Sequence, residues 1–222
     1  MIIIEEAFRS AFPGANLGVL AMGGVVNPAT HPGLEGRKTE LENGLRARFA
    51  GADRASLKQL AAVKAYDAYY RNFDKSYHVL LQLESVALKG KVIPSVAALV
   101  EAMFMAELKN MLLTAGHDLD KVAGPLTLGV SAGGETYQGI RGRQETMKAG
   151  DMMISDTGGI ISSVLYGPDA RTSIASDTSR VMFTVYAPAG VGAAAVAAHL
   201  GDIEGYVRLV APAALTLTSA VL

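Results

Sequence analysis

The chain has 222 residues, half of them apolar and only 18% charged, with a positive mean hydropathy. That length and composition describe a compact globule with room for one sizeable core, and they exclude a disordered or fibrous chain. A net charge of −1 excludes a protein coated in positive potential, and the absence of cysteine excludes disulfides, a thiol nucleophile and thiolate metal sites.

No apolar run reaches the ~18 residues that a membrane span needs. The opening MIIIEEAFRS meets acid at Glu5 and has no basic segment, so it does not read as a signal peptide, and a cytoplasmic location is expected. Residues 2–12 are read as a short amphipathic helix stopped by Pro13-Gly14, and the apolar run 16–24 as a buried strand. The loop 25–33 follows, then a charged helix from Leu34 to about Phe49 and a second helix over roughly 54–70. Residues 71–78 interrupt it before a third helix (78–90), whose Lys-Gly ending suits a helix C-terminus. Pro94-Ser95 opens a long helix to about 114. Beyond Asp120 come short strands near 126–130, 135–139, 151–155, 160–164 and 180–187, a helix at 191–200 and a strand near 215–221. The order predicts one domain over 1–222, an α/β sandwich on a mixed sheet, with a helical N-terminal half and a strand-rich C-terminal half.

Charge is unevenly spread. Residues 37–91 hold eleven Lys/Arg against six acids, whereas 92–222 hold eight against twelve. A basic helical stretch suits phosphate contacts, and the plainer reading is a set of solvated helix faces. His31, His78, His117 and His199 are scattered without metal-ligand spacing, so they read as surface or capping histidines and no metal is expected. Asp118 and Asp120 could pair as acid and base, but carboxylates at i,i+2 in a turn more often accept backbone amides. The glycines at 133, 134, 139 and 142 match neither phosphate-loop spacing. Gly139, Gly158 and Gly159 either line a groove or make tight turns. No serine sits in a nucleophile elbow and no triad can be assigned, so enzyme and binding module stay equally open.

Five blocks in order carry a resemblance: FPGANLGVL (12–20), ESVALKGKVIPSVAALVEA (84–102), HDLDKVAGPLTL (117–128) with GGETYQGI (133–140), AGDMMISDTGGI (149–160), and SDTSRVMFTVYA (176–187). Together they resemble the editing module of the phenylalanyl-tRNA synthetase β subunit, formed by its third and fourth modules, and more closely its freestanding relatives. The resemblance implies that module's α/β sandwich and cleft, and hydrolysis in trans of a mischarged aminoacyl-tRNA. It implies catalysis by positioned water, backbone and tRNA hydroxyls, so no catalytic side chain is assigned and no cofactor is expected. The substrate-binding positions it implies are Met103, Phe104, Glu135, Gly139, Asp156, Gly158 and Gly159, with Asp118 and Asp120 among the shared motif residues. The chain departs from the family at Phe104, where freestanding relatives carry asparagine, and at Leu113, where they carry proline. Met103 and Ala115 stand where the synthetase has a threonine and a histidine, which makes the wall more apolar. Phosphate contacts are expected from Arg46, Arg48, Lys58, Arg141 and Arg143, with tRNA rather than DNA or a membrane as partner. The alternative is a non-catalytic module holding an amino-acid-like ligand or a protein partner in the same cleft.

Overall fold

The computed structural model describes residues 2–222. The first correction to the sequence reading lies at the start. Ile2–Ile4 form a strand (β1), and only Glu6–Ala11 are helical (α1). Three successive β-branched residues fit a pleated surface better than a helix, and β1 runs parallel to a later strand, Leu126–Val130 (β4), with Ile2 opposite Leu126. The buried strand is Asn16–Gly23 (β2), and Gly24 turns the chain at φ +70°.

The helical half contains α2 (Pro32–Arg48), α3 (Arg54–Leu57), α4 (Ala61–Arg71), α5 (His78–Ala87) and α6 (Ala98–Asn110). The expected helix at 54–70 is therefore two, and Asp53 caps the first by accepting from the Ser56 N–H at 2.8 Å. The helix expected to run to 114 stops at Asn110, where Met111 turns left-handed at φ 59°. The N–H groups beyond it go elsewhere. Leu113 donates to the Tyr66 hydroxyl at 2.9 Å and Thr114 to Glu107 Oε1 at 2.7 Å, freeing Thr114–Asp118 to become a fully buried strand, β3. Asn27 fixes the other end of α6: its Oδ1 accepts the Leu99 N–H at 2.9 Å while its amide donates to Ala175 O.

The second half supplies a single 3-10 turn at Leu119–Lys121, then β4, β5 (Thr136–Gln138), β6 (Gln144–Thr146), β7 (Met152–Asp156), β8 (Gly159–Ser163), β9 (Gly167–Pro168) and β10 (Arg180–Ala187). Helix α7 covers Ala193–Val210, ten residues beyond its expected end, and β11 is Leu215–Val221. One sheet has the order β1-β4-β7-β8-β9, a second β11-β2-β10-β3, and β5-β6 make a separate hairpin. The observed class is mixed α/β, as expected, but with two principal sheets. In the second sheet β10 is antiparallel to both neighbours, Phe183 lying opposite Leu20 on one side and Gly116 on the other.

Burial follows this layering. Helix α7 packs on α6 and β2, and it comes so close to β2 that a Cβ on Gly18 would sit 2.5 Å from Val196 Cγ1. Tyrosines tie α4 to the sheets: Tyr66 donates to Tyr186 O, Tyr70 to Val164 O at 2.8 Å, and Tyr69 to Asp151 Oδ1 at 2.6 Å. Each buried ring thus contributes apolar area while its hydroxyl finds an acceptor. No helix among the described residues is long and apolar enough to cross a membrane.

Candidate functional site

Helix α6 builds the main cleft. Its far face is in the core through Ala102, Met105, Ala106 and Leu108, while Met103 and Phe104 are only partly buried. Those two side chains form one wall of a cleft of about 600 Å³, with Val100 above them and Leu113 and Ala115 beside them. The opposite wall comes from the turn Gly139–Arg141, Glu145 on β6, and the segment 163–168 that runs from the end of β8 through β9. This volume lies within the usual range for small-ligand sites, as does the mainly apolar lining.

The floor is polar. Glu107 sits one helical turn beyond Met103 and Phe104, hence on the same face of α6, and is 5% exposed. Its Oε1 accepts the Thr114 N–H at 2.7 Å. Burial raises the Glu107 pKa to about 8, against a partial counter-effect from that hydrogen bond. Thr114 Oγ1 lies 2.7 Å from Nε2 of His199, whose Nδ1 faces Asn110, and Asn110 donates to Asp202. Burial lowers the His199 pKa to about 4, so the ring is neutral at physiological pH. His117 is the same: fully buried, lowered to about 4 by desolvation, and bonded through Nδ1 to Thr172. These two histidines are core residues, which corrects their reading as surface or capping groups. Among the described residues no group of three or more His, Asp or Glu side chains could hold a metal ion.

A buried ion pair braces the N-terminal half of α6. Lys38 Nζ lies 2.8 Å from Glu101 Oε2 and 2.7 Å from Glu35, and it donates to Ser95. Burial opposes the Lys38 charge, but the bonds to Glu101 and Glu35 outweigh it and its pKa rises. Glu101 also receives the Val96 N–H at 2.7 Å, so the pair fixes both the helix and the segment that leads into it.

The structure divides the sequence-derived positions. Met103, Phe104, Gly139 and Arg141 meet in the main cleft. Gly158 and Gly159 do not. They line a separate cavity of about 420 Å³ with Thr136, Gln138 and Arg171, so the single cleft imagined from sequence is two. Asp156 stands behind this second cavity and is structural in its bonding. It takes two bonds from Arg171, at 2.7 and 2.9 Å, and the N–H groups of Ala123 and Gly158, which hold its pKa down against burial. Arg171→Ala should therefore lower stability, since Asp156 would keep only its two backbone donors, checked by chemical denaturation at neutral pH. Glu135 closes its own turn, accepting from Ser131 Oγ and from the N–H groups of Ala132 and Gly133. Asp118 caps the turn at Asp120 N–H and accepts from Thr178, while Asp120 pairs with Arg180 at 2.8 Å. The backbone-binding reading therefore fits Asp118, whereas the Asp120 carboxylate is held by a side chain instead.

The proposed phosphate contacts are likewise dispersed. Arg141 and Arg143 are both exposed in the β5–β6 turn, and of the two Arg141 lines the cleft. Arg46 is engaged, donating to Glu42 and to the carbonyls of Gly90 and Lys91. Exposed Arg48 lies 4.9 Å over the Phe49 ring, and Lys58 is partly buried at the end of α3. Sequence reasoning missed Glu107, Thr114 and Tyr186 in the cleft. The available signal for Glu107 was an acid inside the apolar run ALVEAMFMAEL, three and four residues after the wall positions.

Helix α6 on one side and the β5–β6 turn with residues 163–168 on the other thus enclose an apolar cleft with a buried carboxylate in its lining, within a mixed α/β fold. The chain belongs to the B3/4 domain family, whose model matches residues 61–202, a span that includes α6 and both cleft walls. No curated protein matches the sequence. Among solved structures, an N-terminal fragment of the phenylalanyl-tRNA synthetase β-subunit from Pyrococcus horikoshii aligns over 95% of this chain at 11% identity, with a TM-score of 0.49. The chain spans about half of that fragment, 48% of its length.

Proposed function

We propose that this protein binds the aminoacylated end of a tRNA, holding the amino-acid side chain against Met103 and Phe104, and that it hydrolyses the ester in trans. The observation that carries this reading is the main cleft: small-ligand volume, apolar wall, polar floor, and Arg141 at its mouth with exposed Arg143 in the same turn. Membership of the B3/4 family and the resemblance of the five blocks to synthetase editing modules support it. The side chains present suit positioning more than nucleophilic attack. Thr114 Oγ1 is engaged by His199, and Ser163 Oγ by the Tyr166 N–H. Catalysis here rests on orienting the ester and a water against fixed dipoles.

A second reading is favoured by the rest of the mouth. Exposed Val96 and Ile140 and the carboxylate of Glu145 make part of the rim apolar and acidic, which suits a module that holds a small amino-acid-like ligand without tRNA. Titration of tRNA at several salt concentrations separates the two. The tRNA reading expects salt-dependent binding whose slope falls by about 0.7 to 0.9 per phosphate contact removed in Arg141→Ala and Arg143→Ala. Arg46→Ala should instead lower stability, because that guanidinium ties α2 to Gly90 and Lys91. Absence of salt-dependent binding at low ionic strength would favour the small-ligand module. A panel of mischarged tRNAs then reads out deacylation.

A further inference from the structure

The floor of the cleft holds a carboxylate of which the fold accounts for one oxygen only. Glu107 is nearly fully buried, yet only Oε1 has a hydrogen-bond donor, the Thr114 N–H. Oε2 receives no hydrogen bond from the described residues and is not among the polar atoms sealed away without a partner. The residue lines the cleft, so this oxygen is left for whatever enters. No cation is paired with Glu107, in contrast to Glu101, which Lys38 neutralises. A buried carboxylate costs free energy unless it is paired or protonated. The Thr114 N–H needs an acceptor at this position but not a charge, and a neutral glutamine would supply one as well.

We propose that Glu107 is the anchor for the α-ammonium group of the ligand, and that the cleft selects amino-acid derivatives whose carboxyl is esterified or amidated. This deepens the reading of the cleft as an aminoacyl site and rests on it. Two features set the selectivity. The apolar wall takes the ligand's side chain, while the carboxylates of Glu107 and Glu145, which have no paired cation among the described residues, face a cleft whose exposed cation is Arg141 at the mouth. A free α-carboxylate entering beside the ammonium meets this acidic surround, whereas an ester or amide carbonyl does not. Tyr66, Tyr70 and Tyr77 lie near the carboxylate behind the floor and stay neutral, their pKa values all raised by burial. His199, neutral behind Thr114, His78 at the edge, and Tyr166 and Tyr186 in the lining, both kept neutral by burial, are the other titratable groups around it.

Calorimetric titration at pH 6 tests this with L-phenylalaninamide, 3-phenylpropanamide, which lacks the amine, and L-phenylalanine. We expect the first to bind, and the second and third to bind at least about tenfold more weakly. Because free Glu107 holds its proton up to about pH 8, pairing with an ammonium at pH 6 should release close to one proton. That release is read from the buffer dependence of the heat. Glu107→Gln should abolish both the amine preference and the proton release, and the release measured on the unmodified protein stands even if the variant folds poorly. Equal binding of the deaminated probe, binding without proton release, or no binding of any probe would overturn the proposal. An amide-linked phenylalanyl-adenosine and the peptide Phe-Ala-Ala distinguish the source of the ammonium. Tighter binding of the nucleoside conjugate supports an aminoacyl ester, and tighter binding of the peptide overturns that source. Glu107-dependent amine binding without tRNA binding would leave this anchor standing while the tRNA reading falls, and the reverse result would separate them the other way.

Discussion

Replacing Glu107 with glutamine should stabilise the protein at pH 8 by about 4 kcal/mol. The folded protein holds this carboxyl's proton to about pH 8, whereas the unfolded chain releases it near 4.5. Between those values the native state binds more protons than the unfolded state, so this group makes stability fall as pH rises. Asp151, raised to about 6 by burial, acts in the same direction up to that pH. His117 and His199 act oppositely. Their folded pKa values, lowered from 6.5 to about 4, make stability fall as pH drops through that window. The opposing contributions overlap below pH 6.5, and above it the Glu107 effect dominates. Chemical denaturation should therefore show the native protein losing about 2 kcal/mol between pH 6.5 and 8, with Glu107→Gln nearly flat. A native protein with constant stability over that range would contradict the burial assigned to this carboxyl. The substitution that stabilises the fold is the one expected to abolish ammonium binding, the pattern for a residue kept for its site at a cost to stability.

Lys38→Ala should have the largest destabilising effect, about 4 kcal/mol. It strands Glu101, 1% exposed, without its ammonium partner at the end of α6 that forms the cleft. The double substitution Lys38→Met with Glu101→Leu should recover most of the loss, because removing both charges removes the desolvation cost along with the attraction. Urea denaturation of the two variants checks this. A loss below about 1 kcal/mol in Lys38→Ala would show that the pair behaves as an exposed one.

Much of the architecture was readable where periodicity and punctuation agree. The apolar run of β2, the strand β11 and the helices expected to end near Phe49 and Gly90 fall close to their expected places. Failures occurred where tertiary contacts overrode a local signal. Ile2–Ile4 became a strand because β4 offers a parallel partner more than a hundred residues away. TAGHD carries little strand propensity, yet it is fully buried as β3 against β10. Helix α7 was expected to stop before Gly201, but Gly201 and Gly205 face solvent while Ile203, Tyr206, Val207 and Val210 continue the buried stripe. The site was half legible. Met103, Phe104, Gly139 and Arg141 line one cleft, whereas Gly158 and Gly159 are turned into another cavity by the β7–β8 hairpin. Glu107 escaped notice because an acid in a helix is ordinarily solvated, and only the packing of α4, α6 and β3 shows that this one is not.

The central claim is that the cleft beside α6 receives the amino-acid end of a charged tRNA. The direct measurement is equilibrium binding of one tRNA in two forms, uncharged and carrying a non-hydrolysable amide-linked phenylalanyl group, repeated with Ala115→Trp to fill the cleft. The account predicts at least about tenfold tighter binding of the charged form to the unmodified protein, a gain of about 1.4 kcal/mol, and loss of that gain in Ala115→Trp with uncharged tRNA bound as before. Equal affinity for the two forms, or a gain that survives filling the cleft, would contradict it.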